Sequence, residues 1–227
     1  MIRKLSRLFA LAALMSAVFP ALAQPMLAEP FKAGEHYFQL PEAVRPRNPA
    51  KIEVVEEFQY GCPHCYRFEP QLNAWRSKQP ADVDVQQMPI VWNQLGELHA
   101  RAFYTAQALG VLDKTHHAMF VAIHEKSNML NTKDKVQQIF TDAGVKKETF
   151  DKAFDSFGVT NQIAQSKSRM LSYKLEGTPE LVVAGKYRIS GSAFRSPTEQ
   201  EAFAKMLAAA DYLIDKERKQ IAAKAGK

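Results

Sequence analysis

Two cysteines in 227 residues is a low count, and it excludes the disulfide-stapled class of small exported domains, which depends on several pairs. No second cysteine pair exists to complete a four-ligand structural zinc site around Cys62 and Cys65. Haem attachment through C-x-x-C-H is excluded too, because Tyr66 stands where the histidine would be. Charge of one sign is not in strong excess: 30 Lys and Arg against 24 Asp and Glu give a formal net charge of +6, spread along the chain, which indicates no nucleic-acid partner. Long apolar runs are missing as well. The apolar stretch from Leu8 to Phe19 falls well short of the roughly 20 residues that a membrane-spanning helix needs. There are no internal repeats and no low-complexity linker.

What the N-terminus does carry is an export signal. Arg3, Lys4 and Arg7 precede the apolar stretch, and Pro20 and Ala21-Leu22-Ala23 follow it, which is the order of a secretory signal peptide with an A-x-A site cleaved after about Ala23. Its loss removes three of the positive charges and leaves roughly 200 residues, enough for one domain with a sizeable core or one domain carrying an insertion. No cysteine near the cut supports a lipid anchor. Export also sets the redox compartment, since disulfides persist in the periplasm or outside the cell.

After an irregular start to about Pro49, Ile52 to Phe58 has the β-branched character of a strand, and Gly61 marks a turn. Pro63 suits the first helical position, with Tyr66, Phe68, Leu72 and Trp75 as a buried stripe to about Lys78 and Pro70 as a kink. A second strand is expected over Val83–Val91. From about Asn93 to Glu176 the pattern is helical in several segments, including Thr115–Lys126, a capped start at Asn131-Thr132-Lys133-Asp134 and stops at Gly110 and Gly144. Leu181-Val182-Val183, Ala184-Gly185 and Tyr187 to Ser190 read as a hairpin. Ser196-Pro197-Thr198-Glu199 reads as a capping box opening a last helix through about Lys219, with a solvated basic end. The order βαβ, helical block, ββα describes a split α/β unit, residues 24–92 and 176–227, with helices inserted at 93–175.

Cys62 and Cys65 fall at the strand-to-helix junction, where free N–H groups and the helix dipole stabilise a thiolate. Cys62 gains most and lies nearer solvent, so it is assigned as the attacking thiol. Cys65, one turn into the helix, is the resolving thiol. His64 between them is placed to add to the stabilisation of the Cys62 thiolate. Whatever stabilises the reduced form makes the disulfide a stronger oxidant, by about 30 mV per pKa unit for a two-electron couple. Pro63-His64 thus points toward disulfide donation, and a purely structural disulfide is disfavoured because a four-residue loop constrains the unfolded chain little.

These residues, with Glu56-Glu57-Phe58 before them, Tyr66-Arg67-Phe68-Glu69 after them and Gly177-Thr178-Pro179-Glu180-Leu181 later, resemble the DsbA-type periplasmic thiol:disulfide oxidoreductases from about Phe38 to Leu213. That family is itself a standard example of a depressed cysteine pKa and an oxidising couple, so both are inherited with the resemblance. The resemblance implies a thioredoxin fold with an inserted helical domain, and a cis bond between Thr178 and Pro179 facing the cysteines. Beside that bond an extended substrate segment would pair with the backbone. It places Glu56 where the family keeps a buried acid serving Cys65, with Glu69 as a second candidate. Glu56 and Glu57 are expected on opposite faces of their strand, only one looking inward. Where some relatives keep a lysine partnering the acid, this chain has Gln87. The cycle implied is oxidation of the Cys62–Cys65 pair by a quinone-linked inner-membrane partner, then transfer of the disulfide to reduced exported proteins. It needs no metal and no cofactor beyond the disulfide, and implies a monomer.

Other residues read as structural. His116, His117 and His124 are taken as solvated helix surface, since two helical turns, about 10 Å, separate His117 from His124, too far for one ion. Phe150, Phe154 and Phe157 are taken as core, and so is Trp92. The competing functions are an isomerase or reductase of the same fold, against which stand the Pro-His dipeptide and the lack of an extra N-terminal dimerisation region, and a non-catalytic periplasmic chaperone.

Overall fold

β-Branched and aromatic residues build a five-stranded mixed sheet in the computed structural model, which describes residues 29–226; the leader and its cleavage site lie outside the described residues. In chain order come β1 (Phe38–Gln39), β2 (Ile52–Phe58), α1 (Pro63–Arg76) and β3 (Val83–Pro89). Five helices follow: α2 (Gln94–Ala108), α3 (Leu112–His124), α4 (Lys133–Asp142), α5 (Lys147–Phe154) and α6 (Phe157–Tyr173). The chain then returns through β4 (Glu180–Val183) and β5 (Tyr187–Ser190) to α7 (Glu199–Ala225). The strand order is β1-β5-β4-β2-β3, with only β2 and β3 parallel.

Strand β2 is buried along its whole length because both faces of the sheet are covered. On one face Val54, Leu181 and Val183 pack with Phe68, Leu72 and Trp75 of α1 and with Phe203, Met206 and Leu213 of α7. On the other, Val55, Met88 and Val182 pack with Tyr173 of α6. A third cluster gathers Phe103, Phe120, Phe140, Phe150 and Ile163 of the helical block, and it reaches Phe58, Tyr60 and Cys65, so the cysteine helix begins where the helical core meets the sheet. From Phe31 onward the chain forms one compact unit.

Local signals explain the joints. The hairpin turn puts Ala184 at φ 53° and Gly185 at φ 61°, the double left-handed conformation of a tight turn that follows strand twist. Gly185 is also required by close approach, since a Cβ there would stand 1.9 Å from the Val44 carbonyl oxygen. Thr132 and Ser156 cap α4 and α6 through their hydroxyls.

Several expectations change. The start is not wholly irregular, because β1 pairs with β5 through Phe38–Arg188 and Gln39–Tyr187. Thr198, not Ser196, caps α7, its hydroxyl accepting the Glu201 N–H at 3.2 Å, and the helix runs on to Ala225. Phe150 and Phe154 are core, but Phe157, the first residue of α6, is 84 % exposed, since a helix start at that point turns it away from the cluster. Trp92 is 50 % exposed, lying past the end of β3 where no layer covers it. Glu56 and Glu57 lie on opposite faces of β2, yet both are buried rather than only one, because the strand is covered on both faces.

Candidate active site

The turn after β2 closes with the Cys62 N–H donating to the Gln59 carbonyl at 3.0 Å, and α1 starts immediately. Cys62 is the N-cap and Pro63 the first helical residue, where the missing N–H is no loss. The Cys62 sulfur accepts the backbone N–H of Cys65 at 3.4 Å. Both thiols are free; Cys62 is half-exposed and Cys65 fully buried.

That difference in setting splits their acidities. Cys62 is lowered from 9.0 to about 5, foremost by a hydrogen bond from the Cys65 thiol, then by the Thr178 side chain and the N–H groups of Cys65 and His64, all against the opposing effect of burial. Cys65 is pushed well above 9.0, first by burial, then by its donation to Cys62 and by the negative charge of Cys62 and Glu56. One sulfur is thus held as thiolate and its neighbour as thiol.

The Thr178–Pro179 bond is cis, and the Cys62 sulfur lies 3.4 Å from the Thr178 carbonyl oxygen, to which it donates when protonated, so the loop before β4 meets the cysteine directly. A groove of ≈ 400 Å³ opens there, lined by His64, Gly177, Thr178, Pro179, Ser192 and Phe203 among others. The His64 imidazole pairs through Nδ1 with Glu199, the first residue of α7, and Arg67 pairs with the same carboxylate. His64 therefore serves Cys62 through its backbone N–H, while its ring is committed to Glu199. Glu199 entered the sequence reading only as a capping residue, and nothing local marks a contact across 135 positions.

Behind the cysteines, Glu56 is 2 % exposed and accepts from Gln87 Nε2 at 2.8 Å, the two being register partners in β2 and β3. Burial raises Glu56 from 4.5 to about 7, partly offset by Gln87. Gln87 also lies 3.2 Å from His116 Nε2. His116 is buried, not solvated: Tyr60 Oη lies 2.7 Å from its Nδ1, and burial, then Arg76, lowers it from 6.5 to about 3, so its ring is neutral. Glu69, also buried, meets His117 Nδ1 at 2.9 Å, and His117 is the exposed member of the group. His124 donates to the Tyr60 carbonyl at 2.8 Å. The three histidines thus face the back of α1 and the preceding turn. Among the described residues no group of three or more His, Cys, Asp or Glu is placed to hold a metal ion.

Comparison with known proteins gives the same picture. Residues 95–207 match the DSBA-like thioredoxin domain, a span that begins C-terminal to the cysteine pair. The thiol:disulfide interchange protein DsbA of Pseudomonas syringae pv. tomato is 42 % identical over 200 residues, 88 % of this chain and 90 % of that protein. The protein of the same name from Azotobacter vinelandii is 41 % identical over 187 residues, 82 % of this chain and 85 % of that protein. The crystal structure of Pseudomonas aeruginosa DsbA superposes with a TM-score of 0.78 at 37 % identity, covering 88 % of this chain and 99 % of that one. The chain belongs to the DsbA family of thiol:disulfide interchange proteins and is a protein thiol:disulfide oxidoreductase with the thioredoxin-like fold of that family.

Proposed function

We propose that the protein donates the Cys62–Cys65 disulfide to newly exported proteins in the periplasm. The observation that carries this direction is the stabilised thiolate at Cys62 beside a thiol-bound Cys65, because stabilising the reduced form favours giving the disulfide away. In the donating step a substrate thiolate attacks the Cys62 sulfur and the bond to Cys65 breaks. A second substrate thiolate then attacks the substrate sulfur of that mixed disulfide and expels Cys62 as thiolate. Two electrons pass from substrate to protein, and the low pKa of Cys62 makes it a fast leaving group. In the reverse direction Cys62 attacks and Cys65 resolves.

Glu56 is the group we assign to take and return the Cys65 proton, supported by its burial and its pKa of about 7. The cis Thr178–Pro179 loop and the groove beside it are assigned to an extended substrate segment, whose backbone would pair there. Reoxidation is assigned to a quinone-linked inner-membrane partner, with the protein acting as a monomer and residues 1–23 as the export signal. The residues themselves supply the chemistry; no metal or further cofactor enters the cycle.

The test is to mix oxidised protein with a reduced unfolded substrate. Cys65→Ser, loaded at Cys62 with a small disulfide, accumulates a mixed disulfide at Cys62, and Cys62→Ala yields neither product nor adduct. Oxidation that survives Cys62→Ala contradicts the reading, whereas folding assistance that Cys62→Ala leaves whole, with no oxidation by the parent protein, is the outcome the chaperone reading predicts.

A further inference from the structure

One arginine holds the loop that faces Cys62 from behind. Glu176 and Glu180 bracket Thr178 and Pro179, and residues 175–179 have no regular secondary structure of their own. Arg188 on β5 reaches both brackets: its Nη2 lies 2.7 Å from Glu176 Oε1, and its Nε lies 3.8 Å from Glu180 Oε2. Its Nη1 donates to the carbonyl of Lys174, which ends α6 in the left-handed conformation. The guanidinium lies 5.4 Å from the centre of the Phe38 ring, so β1 closes over it.

The setting does not fit a device for stability. Arg188 is only 4 % exposed, and a buried ion pair of this kind is commonly matched or bettered by well-packed apolar residues. Glu180, fully buried, is raised to about 7 by burial; Arg188, the Glu176 N–H and Ser190 temper that rise, yet no hydrogen bond of ordinary length reaches either Glu180 oxygen. Glu57, the register partner of Glu180 on β2, is buried with both oxygens unpartnered too. A charge kept among such neighbours is explained by what it orients. The rigid fork of arginine spans two carboxylates and a carbonyl at once, which a lysine cannot.

We propose that Arg188 is a positioning residue for disulfide exchange: by bridging Glu176 and Glu180 it holds Thr178 and Pro179 in register with the Cys62 sulfur and with an incoming substrate segment. This rests on the role given above to Cys62 and to the Thr178–Pro179 loop. Thr178 also helps lower Cys62 through a side-chain hydrogen bond, so a slack loop weakens the setting of the thiolate as well as the seat of the substrate.

Three variants test it in the full-length exported protein: Arg188→Lys, Arg188→Gln and Glu176→Gln. Glu176 has a side chain 74 % exposed, so its replacement leaves folding intact even if the arginine variants fail to fold. The expected result is a KM for a reduced dithiol peptide raised about tenfold in Arg188→Gln, since small misplacements at a reacting centre carry large factors. The thiolate absorbance of Cys62, read without substrate, titrates at higher pH in the same variant. Glu176→Gln moves both readings in the same direction by a smaller factor, and combining it with Arg188→Gln adds nothing further. Arg188→Lys recovers the unfolding temperature but not KM. Unchanged KM and unchanged Cys62 titration in folded Glu176→Gln, or full recovery of KM by Arg188→Lys, overturns the proposal. Failure of the unsubstituted protein to oxidise the peptide would count against the functional reading alone, because the substrate-free Cys62 titration still decides whether Arg188 acts on the loop.

Discussion

The Cys62 sulfur accepts the backbone N–H of Cys65 at 3.4 Å, so the residue that closes the disulfide is also the one that holds its partner as thiolate when the disulfide is open. That contact exists because Cys62 caps α1 and Cys65 is three residues on, the span of an N-cap hydrogen bond. It gives the reduced protein a charge-stabilising interaction that the oxidised protein lacks.

The first prediction concerns that asymmetry. Cys62 has a folded pKa of about 5 against 9.0 unperturbed, a depressed value. Its contribution to the stability of the reduced form is complete above the unfolded value and disappears as pH falls through about 5. The stability of reduced protein relative to oxidised protein is therefore expected to rise with pH from about 5 to about 9, measured by denaturant unfolding of both forms. A difference that is flat across that window contradicts the assignment.

Glu56 has the opposite sign. Its folded pKa, about 7 against 4.5, is raised, so folding favours its protonated form and stability is lost as pH rises from 4.5 through about 7. Glu56→Gln removes this penalty while keeping a partner for Gln87. The variant should be more stable than the parent at pH 8 by up to about 3 kcal/mol, at roughly 1.4 kcal/mol per pKa unit for a buried group. It should also resolve mixed disulfides more slowly, which stopped-flow fluorescence would read.

His116 adds a penalty at the acid end. Its folded pKa of about 3 lies below the unperturbed 6.5, so the unfolded chain takes a proton that the folded one refuses, and stability falls as pH drops from 6.5 toward 3. His116→Gln, which keeps an acceptor for the Tyr60 hydroxyl, should flatten that decline. A slope equal to the parent's over the same range would show that another group carries it.

Gly185→Ala is expected to cost about 2–4 kcal/mol, the range of strain at a special backbone conformation combined with a backbone clash. The added Cβ would meet the Val44 carbonyl oxygen at 1.9 Å in a residue at φ 61°. The urea midpoint should fall with the slope unchanged.

The sequence was most legible where chemistry is local. A strand, a Gly turn, Cys62 and then Pro63 at a helix start are neighbours in the chain, and their arrangement follows from capping rules; the hairpin at Ala184-Gly185 is equally local. Long-range layering was not legible. Alternation assigns Glu56 and Glu57 to opposite faces correctly, yet it carries no information on whether α6 covers the second face, as it does. His116 looked like solvated surface because its companions His117 and His124 share its helix, whereas its own face turns toward Phe58 at the end of β2 and Tyr60 in the turn after it. Phe157 was grouped with Phe150 and Phe154 by spacing, but Ser156 caps a new helix between them and breaks the phase. The ties of Glu199 to His64 and of Arg188 to Glu176 are tertiary contacts, for which one chain offers no pattern.

The central claim, a disulfide donor with Cys62 as the stabilised thiolate, is tested most directly by the redox equilibrium of the Cys62–Cys65 pair against glutathione. The account predicts that the disulfide is reduced by mildly oxidising glutathione buffers, with a potential far less negative than the about −270 mV of thioredoxin. A potential at or below the thioredoxin value would contradict it.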